Sequence, residues 1–337
     1  MEQPIPSGRP VLEPMTFFGI LERTFAIYRD QFWTLFKIVA VVGIPVAILQ
    51  YILIPNQSLN SLEQTTNGAL MISNILNFIQ AILVYSALTY AASESLFGRR
   101  VSMGEAYGAI RNRFGTVGCG MILFSLLIVI FFIGVGILFG FLRTFAVLFI
   151  GPVLFFFIAA SPLLVPVLTL ESIGVGTGIP RAYGLGKQRF WTIVGIGVVF
   201  FIVGFIILFT LISAGGLLIA GSGVRAAVDP LNPLILMVTI IGALAQFVLT
   251  PLTPIATTLI YYDVRVRNEN LNALLEARPA DTRLTDLESP VGSLGFTGQD
   301  IRNILILTGI TVIGGILLSN TIMAFINQLE RAGRSGI

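Results

Sequence analysis

The sequence predicts an all-α integral membrane protein: a six-helix bundle of three parallel hairpin repeats, each led by an amphipathic interfacial helix, plus a seventh C-terminal transmembrane helix. Three observations predict it. The 337 residues are 55% hydrophobic and only 11% charged, whereas ordinary soluble domains carry roughly a quarter charged residues. Seven apolar runs come close to or exceed the roughly 20 residues that cross a bilayer as a helix. Three short segments align without gaps, each ahead of a pair of apolar runs.

The chain opens with a polar, Pro-containing tail over 1–15 that lacks the basic start, short apolar stretch and cleavage site of a secretory signal. The first span is then the insertion signal. Apolar spans fall at about 34–54, 70–93, 115–141, 145–170, 191–220 and 234–262, with a seventh at 303–325. They group into repeat units over 16–97, 98–174 and 175–263, followed by a short helix and tether over 264–300 and the last span and tail over 301–337.

The aligned segments are FAIYRDQFWT from Phe25, YGAIRNRFGT from Tyr107 and YGLGKQRFWT from Tyr183. Each has an aromatic first, a basic residue fifth (Arg29, Arg111, Lys187), Phe eighth (Phe32, Phe114, Phe190) and Thr tenth. Phe25, Tyr28 and Phe32 follow a three-then-four spacing that puts them on one helical face, and Tyr107, Ile110 and Phe114 repeat it. Ser102 with Glu105 has the form of a capping box, and Pro180 soon after Thr177 suits a first helical turn. Such helices favour the membrane interface, where rings meet acyl chains and cations meet phosphates. The expected interfacial aromatics are Phe25, Phe32, Trp33, Tyr107, Phe114, Tyr183, Phe190 and Trp191. Arg29, Arg111, Arg113, Lys187 and Arg189 form the expected basic rim for anionic lipid headgroups.

Placing the N-terminus in the cytoplasm leaves only Arg143 and Arg225 in the opposite loops of the first six spans, so the positive-inside rule orients the chain in a bacterial cytoplasmic membrane. An acid recurs near the end of each second span: Glu94, Glu171 and Asp263. These acids either pair with the basic residues and lock each unit or sit as solvated helix ends. Pro162 and Pro254 each lie nine residues before their acid, which predicts kinks at matching depth in spans four and six.

Chemistry is poorly provisioned. The chain has no His and a single Cys, Cys119, so His-bound metal, haem ligation, disulfides and Cys-His catalysis lack their parts, and no cofactor or metal is expected. Asn74, Asn77 and Gln80 share neighbouring parts of one face, and with Gln246 they either line a polar cavity or, the commoner use, hydrogen-bond between packed helices. Gly136 and Gly140 suit close helix packing. The run Gly174, Gly176, Gly178 lacks the Lys-Ser/Thr of a phosphate loop and reads as a flexible link. A basic rim set at a bilayer argues against nucleic acid as a partner.

At YYDVRVRNENLN, Tyr261 to Asn272, and in the F-x-x-Y-R-x-x-F-W pattern of Phe25 to Trp33, the chain resembles the bacterial glycerophosphoryl diester phosphodiesterase membrane domain-like family, over about 15–278. The resemblance implies the membrane architecture. In that family a phosphodiesterase barrel, sometimes fused to the membrane domain, does the hydrolysis; this chain has neither the length outside its spans nor any His for one. The expected role is a non-enzymatic scaffold or accessory subunit that packs against a membrane-protein partner and anionic lipid, the alternative being a small-solute or lipid-handling permease.

Overall fold

A computed structural model describes residues 12–53, 67–142, 147–221, 233–277, 290, 292 and 294–334. Within them the chain is helical, with no strand, and seven segments are long and apolar enough to cross a membrane. Arg143 and Arg225, on which the orientation argument rests, lie outside the described residues.

Three short helices each precede a group of longer ones, two after the first and second and three after the third. Helix α1 (Phe17–Asp30) starts at Thr16, whose hydroxyl accepts from Gly19 N–H at 3.1 Å, and leads into α2 (Phe32–Leu53) and α3 (Asn67–Leu96). Helix α4 (Met103–Ile110) leads into α5 (Phe114–Leu142) and α6 (Val147–Leu170). Its capping box forms as the spacing predicts: Ser102 N–H donates to Glu105 at 2.7 Å and the Ser102 hydroxyl accepts from Glu105 N–H. The Ser102 backbone, and secondarily its hydroxyl, hold the exposed Glu105 carboxyl below its usual range. Helix α7 (Val175–Gly186) and a single 3-10 turn, Lys187–Arg189, lead into α8 (Phe190–Gly221), α9 (Pro233–Leu249) and α10 (Leu252–Glu269). Thus Phe32, Phe114 and Phe190 each begin a long helix, and Arg111–Arg113 and Lys187–Arg189 form the bends before two of them.

Helices α3, α6 and α10 pack on one another at the centre, and α4 lies on α3, α7 on α6 and α1 on α10. Helices α2, α5 and α8 lie outside and present Ile44, Ile130, Phe201 and many other apolar side chains at the surface, as lipid-facing helices do. The buried core occupies Ile82–Leu96 of α3, Phe155–Leu170 of α6 and most of α10. Small side chains permit this approach: Ala87, Ala91 and Ala92 on α3, Ala159 and Ala160 on α6, and Ala256 on α10 are all buried.

Several expectations change. Span six is interrupted at Thr250–Pro251; Pro254 lies four residues beyond Thr250 and cannot donate to its carbonyl, so the bend expected there takes the form of a break between α9 and α10. Helix α6 runs unbroken through Pro152, Pro162 and Pro166. The unit boundary at 263 falls inside α10, which continues to Glu269; Asn270, at φ 49°, then turns the chain into α11 (Leu271–Glu276). Asn accepts this left-handed conformation more readily than most residues. The last helix, α12 (Gly298–Arg334), is longer than its apolar run and packs on α6.

Gly174 caps α7, and Gly176 and Gly178 lie within it, so the glycine run is helix and not a link. A Cβ on Gly178 would meet Leu168 at 2.4 Å, and one on Gly186 would meet the Ala159 carbonyl oxygen at 1.9 Å. Gly178, Ala182 and Gly186 recur every four residues, so one face of α7 is bare enough to lie against α6. Gly136, by contrast, faces open space. Gly186→Ala is expected to lower the melting temperature in mild detergent, because the methyl meets backbone; Gly176→Ala, with nothing within 4 Å, is expected to leave it unchanged. Equal melting of both variants would rule out this close approach.

Candidate functional site: buried charge at the short-helix end

The last turns of α10 carry two helical faces. Tyr261, Arg265 and Glu269 are spaced by four, as are Asp263 and Arg267, so the two sets point different ways from one helix. Each meets a different part of the chain.

On the first face, Arg265 is fully buried, and its Nη1 donates to the Tyr261 hydroxyl at 2.7 Å while its Nε donates to Glu269 at 2.9 Å. Tyr261 in turn donates to Glu171 at the end of α6, at 2.9 Å. Arg181 of α7 completes the set, donating from Nε and Nη2 to Glu171 at 3.1 Å and from Nη2 to Glu269 at 2.8 Å, with a second bond from Nη1 to Glu269. Glu171 also lies 3.5 Å from Arg265. Two carboxylates therefore face two guanidiniums and the cluster is charge-balanced, the condition under which charge tolerates removal from water.

On the second face, Asp263 is fully buried and accepts from Met15 N–H at 2.7 Å and from Arg267 at 2.9 Å, with Arg189 3.0 Å away. Arg189 and Arg267 both donate to the Met15 carbonyl, at 3.0 and 2.9 Å. Asn272 then pairs with both backbone groups of Leu12, its Nδ2 donating at 2.7 Å and its Oδ1 accepting at 3.1 Å. The segment ahead of α1 is thereby strapped to α10 and α11, some 250 residues away in sequence. Beside this strap, a pocket of about 420 Å³ opens between α1, α10 and the end of α3, lined in part by Glu13, Glu22 and Arg23.

The acids singled out from sequence thus fare differently. Glu171 and Asp263 hold basic groups from other elements, whereas Glu94 pairs with nearby Arg99, at 2.5 Å. Among the rim cations, Lys187 pairs with Asp300 at the start of α12, Arg189 with Asp263, and Arg113 donates to the Ser172 hydroxyl. Among the described residues Arg29 pairs only with its exposed neighbour Asp30. Arg111 is exposed, with no ion pair among the described residues.

Phe25, Trp33, Phe114 and Trp191 are exposed, Trp33 at 70%. Phe32 and Tyr107 are half-buried. Burial pushes the Tyr107 phenol up to about 12, and it donates to the Ile38 carbonyl at 2.7 Å. Tyr183 and Phe190 are core residues and not interfacial ones. The tight α6–α7 contact draws them onto Phe156 and Phe155, with centroids 5.2 and 4.6 Å apart. Trp191 keeps its ring partly exposed while its indole N–H donates to Asn303 of α12 at 3.0 Å.

The amides do not converge. Gln50 donates to Asn77 at 2.8 Å between α2 and α3, and Gln80 lies near the α2 residue Gly43. Asn74 lines a groove between α3 and α5, and Gln246 a separate pocket of about 160 Å³ among α3, α8, α9 and α10. Among the described residues no group of three or more Cys, Asp or Glu could hold a metal.

Sequence reasoning passed over Arg181, Arg265 and Glu269. The four-residue spacing of Tyr261, Arg265 and Glu269 was a signal for one charged, bonded helix face. No family model, curated protein or solved structure matches the chain.

Asp263→Asn is expected to loosen the strap without unfolding the core. Amide exchange at Met15 and its neighbours should rise by about ten- to a hundredfold, on the order of the 1.5–3 kcal/mol of a hydrogen bond to a charged group. Unchanged exchange there would mean that Asp263 does not hold the segment.

Proposed function

We propose that the chain is a non-enzymatic scaffold or accessory subunit of the bacterial cytoplasmic membrane, built from three hairpin repeats and oriented with the short helices in the cytoplasm. The ring of contacts supports the repeat reading: each short helix lies against a central one, α4 on α3, α7 on α6 and α1 on α10, and the last of these joins the first unit to the third. The observation that carries the functional reading is the internal use of the buried charge. Glu171 and Glu269 balance the charges of Arg181 and Arg265, with only Arg265 Nη2 left without a hydrogen-bond partner among the described residues, which supports a cluster that holds helices together in place of presenting an acid or base to a substrate.

What remains available lies on the outside: the apolar faces of α5, α8 and α12 for a membrane-protein partner, and Arg29 and Arg111 for anionic headgroups. The basic-patterned short helices keep the same orientation under the positive-inside rule.

One observation favours a permease as the second reading. Span six breaks at Thr250–Pro251 beside the Gln246 pocket, and discontinuous helices frame the binding sites of many transporters. Native mass spectrometry of the protein released gently from its own membrane separates the two. A stoichiometric membrane-protein partner is expected, with Gln246→Leu leaving abundance and host growth unchanged. Recovery of the chain alone, together with loss of growth at normal abundance in Gln246→Leu, would put the permease first.

A further inference from the structure

Beside the strap, α1 contributes Gly19, Glu22, Arg23 and Ala26 to the pocket of about 420 Å³ that it shares with α10 and the end of α3. These four lie at i, i+3, i+4 and i+7, on one face of the helix, with small residues at both ends and the two charges between them. Leu12 of the strap, Leu96 of α3 and Val266 of α10 supply apolar wall. Small-molecule sites occupy roughly 300–1,000 Å³, so the space suits a compact ligand.

The charges select the occupant. Glu13, Glu22 and Arg23 all line the pocket, and none of them has an ion pair among the described residues. Glu22 and Arg23 do not meet each other because consecutive residues diverge around a helix. Asp263 lies in the same lining, fully buried and offset by Arg189 and Arg267. Its Oδ2 accepts no hydrogen bond, since Arg189 Nε stands 3.0 Å away but out of line. The uncommitted groups are therefore two carboxylates and one guanidinium beside hydrocarbon. A purely anionic ligand would face Glu13 and Glu22 without a counter-charge, and a purely cationic one would face Arg23. A small zwitterion with an apolar body finds a partner for each of its parts. We infer that this pocket is a binding site for a free α-amino acid with an apolar side chain, its ammonium at Glu13 and Glu22, its carboxylate at Arg23 and its side chain against Leu12, Leu96 and Val266.

Such a site goes beyond both the scaffold and the permease readings and uses neither the exposed Arg29 and Arg111 nor Gln246. Leu12, Glu13 and Met15 belong to the strap, so an occupant joins the strap to α1 and α10 and adds to the hold of Asp263 on Met15. Binding is thereby linked to the order of the segment ahead of α1.

The test is a saturation-transfer NMR titration of the full chain in mild detergent with L-leucine, for which a dissociation constant of about 1 mM or tighter is expected. Leucinamide, which lacks the carboxylate, and 4-methylpentanoate, which lacks the ammonium, should each bind about tenfold more weakly, the effect of one hydrogen bond to a charged group. Arg23→Gln should weaken leucine by about tenfold and leave leucinamide unchanged, while Glu22→Gln should weaken leucine and leave 4-methylpentanoate unchanged. Loss of fold cannot produce that crossed pattern. Arg111→Gln, on the bend before α5, is the control and should bind as wild type. Absence of leucine binding at about 10 mM would overturn the inference, as would equal binding of the three compounds by wild type. Parallel loss of every compound in both α1 variants would overturn it too. Tighter binding of phosphoethanolamine than of leucine would assign the pocket to a lipid headgroup and reject the free amino acid.

Discussion

Two carboxylates and two guanidiniums held out of water between α6, α7 and α10 set the terms for the rest of the fold. An isolated charge at such depth carries a penalty of several kcal/mol, so each member requires the others in place. Arg181 can reach Glu171 and Glu269 together only if α7 lies flat on α6 and the end of α10 comes alongside. The cluster therefore specifies the relative position of three helices, α6, α7 and α10. Apolar packing alone would specify it less sharply, since contacts between greasy helices in a greasy solvent discriminate weakly among registers.

The small residues make that geometry reachable. Gly178, Ala182 and Gly186 bare one side of α7, and alanines on α3, α6 and α10 let the central helices close. On the outer helix α8, Phe201, Phe205 and Phe209 stack along the exposed face at 6.1 and 5.6 Å. The N-terminal segment then joins the far end of the chain through Asp263, Arg189 and Arg267. Helix α12 docks by the same logic: Asp300 caps its first turn by accepting from Thr297 N–H and also faces Lys187, so one carboxylate both starts the helix and anchors it.

Much of this was legible in sequence, for a physical reason. Long apolar runs have few alternatives to helix in a bilayer, so spans at 34–54, 70–93 and 145–170 fall close to α2, α3 and α6. The capping box at Ser102 is a local interaction and reads directly from its spacing. The end of α10 read as a separate short helix and not as the continuation of the sixth span, because hydropathy treats Arg265, Arg267 and Glu269 as solvent-seeking, while in the fold their charges are matched by Glu171, Arg181, Asp263 and one another. Tyr183 and Phe190 were misplaced at the interface for a related reason. Aromatic pattern alone cannot tell a ring that faces lipid from one that faces α6, and the decision rested with the glycine face of α7. The amide face of α3 dispersed because Asn77 found Gln50 on the neighbouring helix.

The central claim is that the charges of Glu171 and Arg181 stabilise the fold as a coupled pair. A double-mutant cycle with Glu171→Gln, Arg181→Met and the two combined, followed by reversible unfolding in mixed micelles, tests it most directly. Each single change is predicted to cost about 3–5 kcal/mol by leaving a charge buried without its partner. The combined variant should cost less than the sum, by on the order of 1–3 kcal/mol. Additive effects, or single changes that leave stability near wild type, would contradict the account.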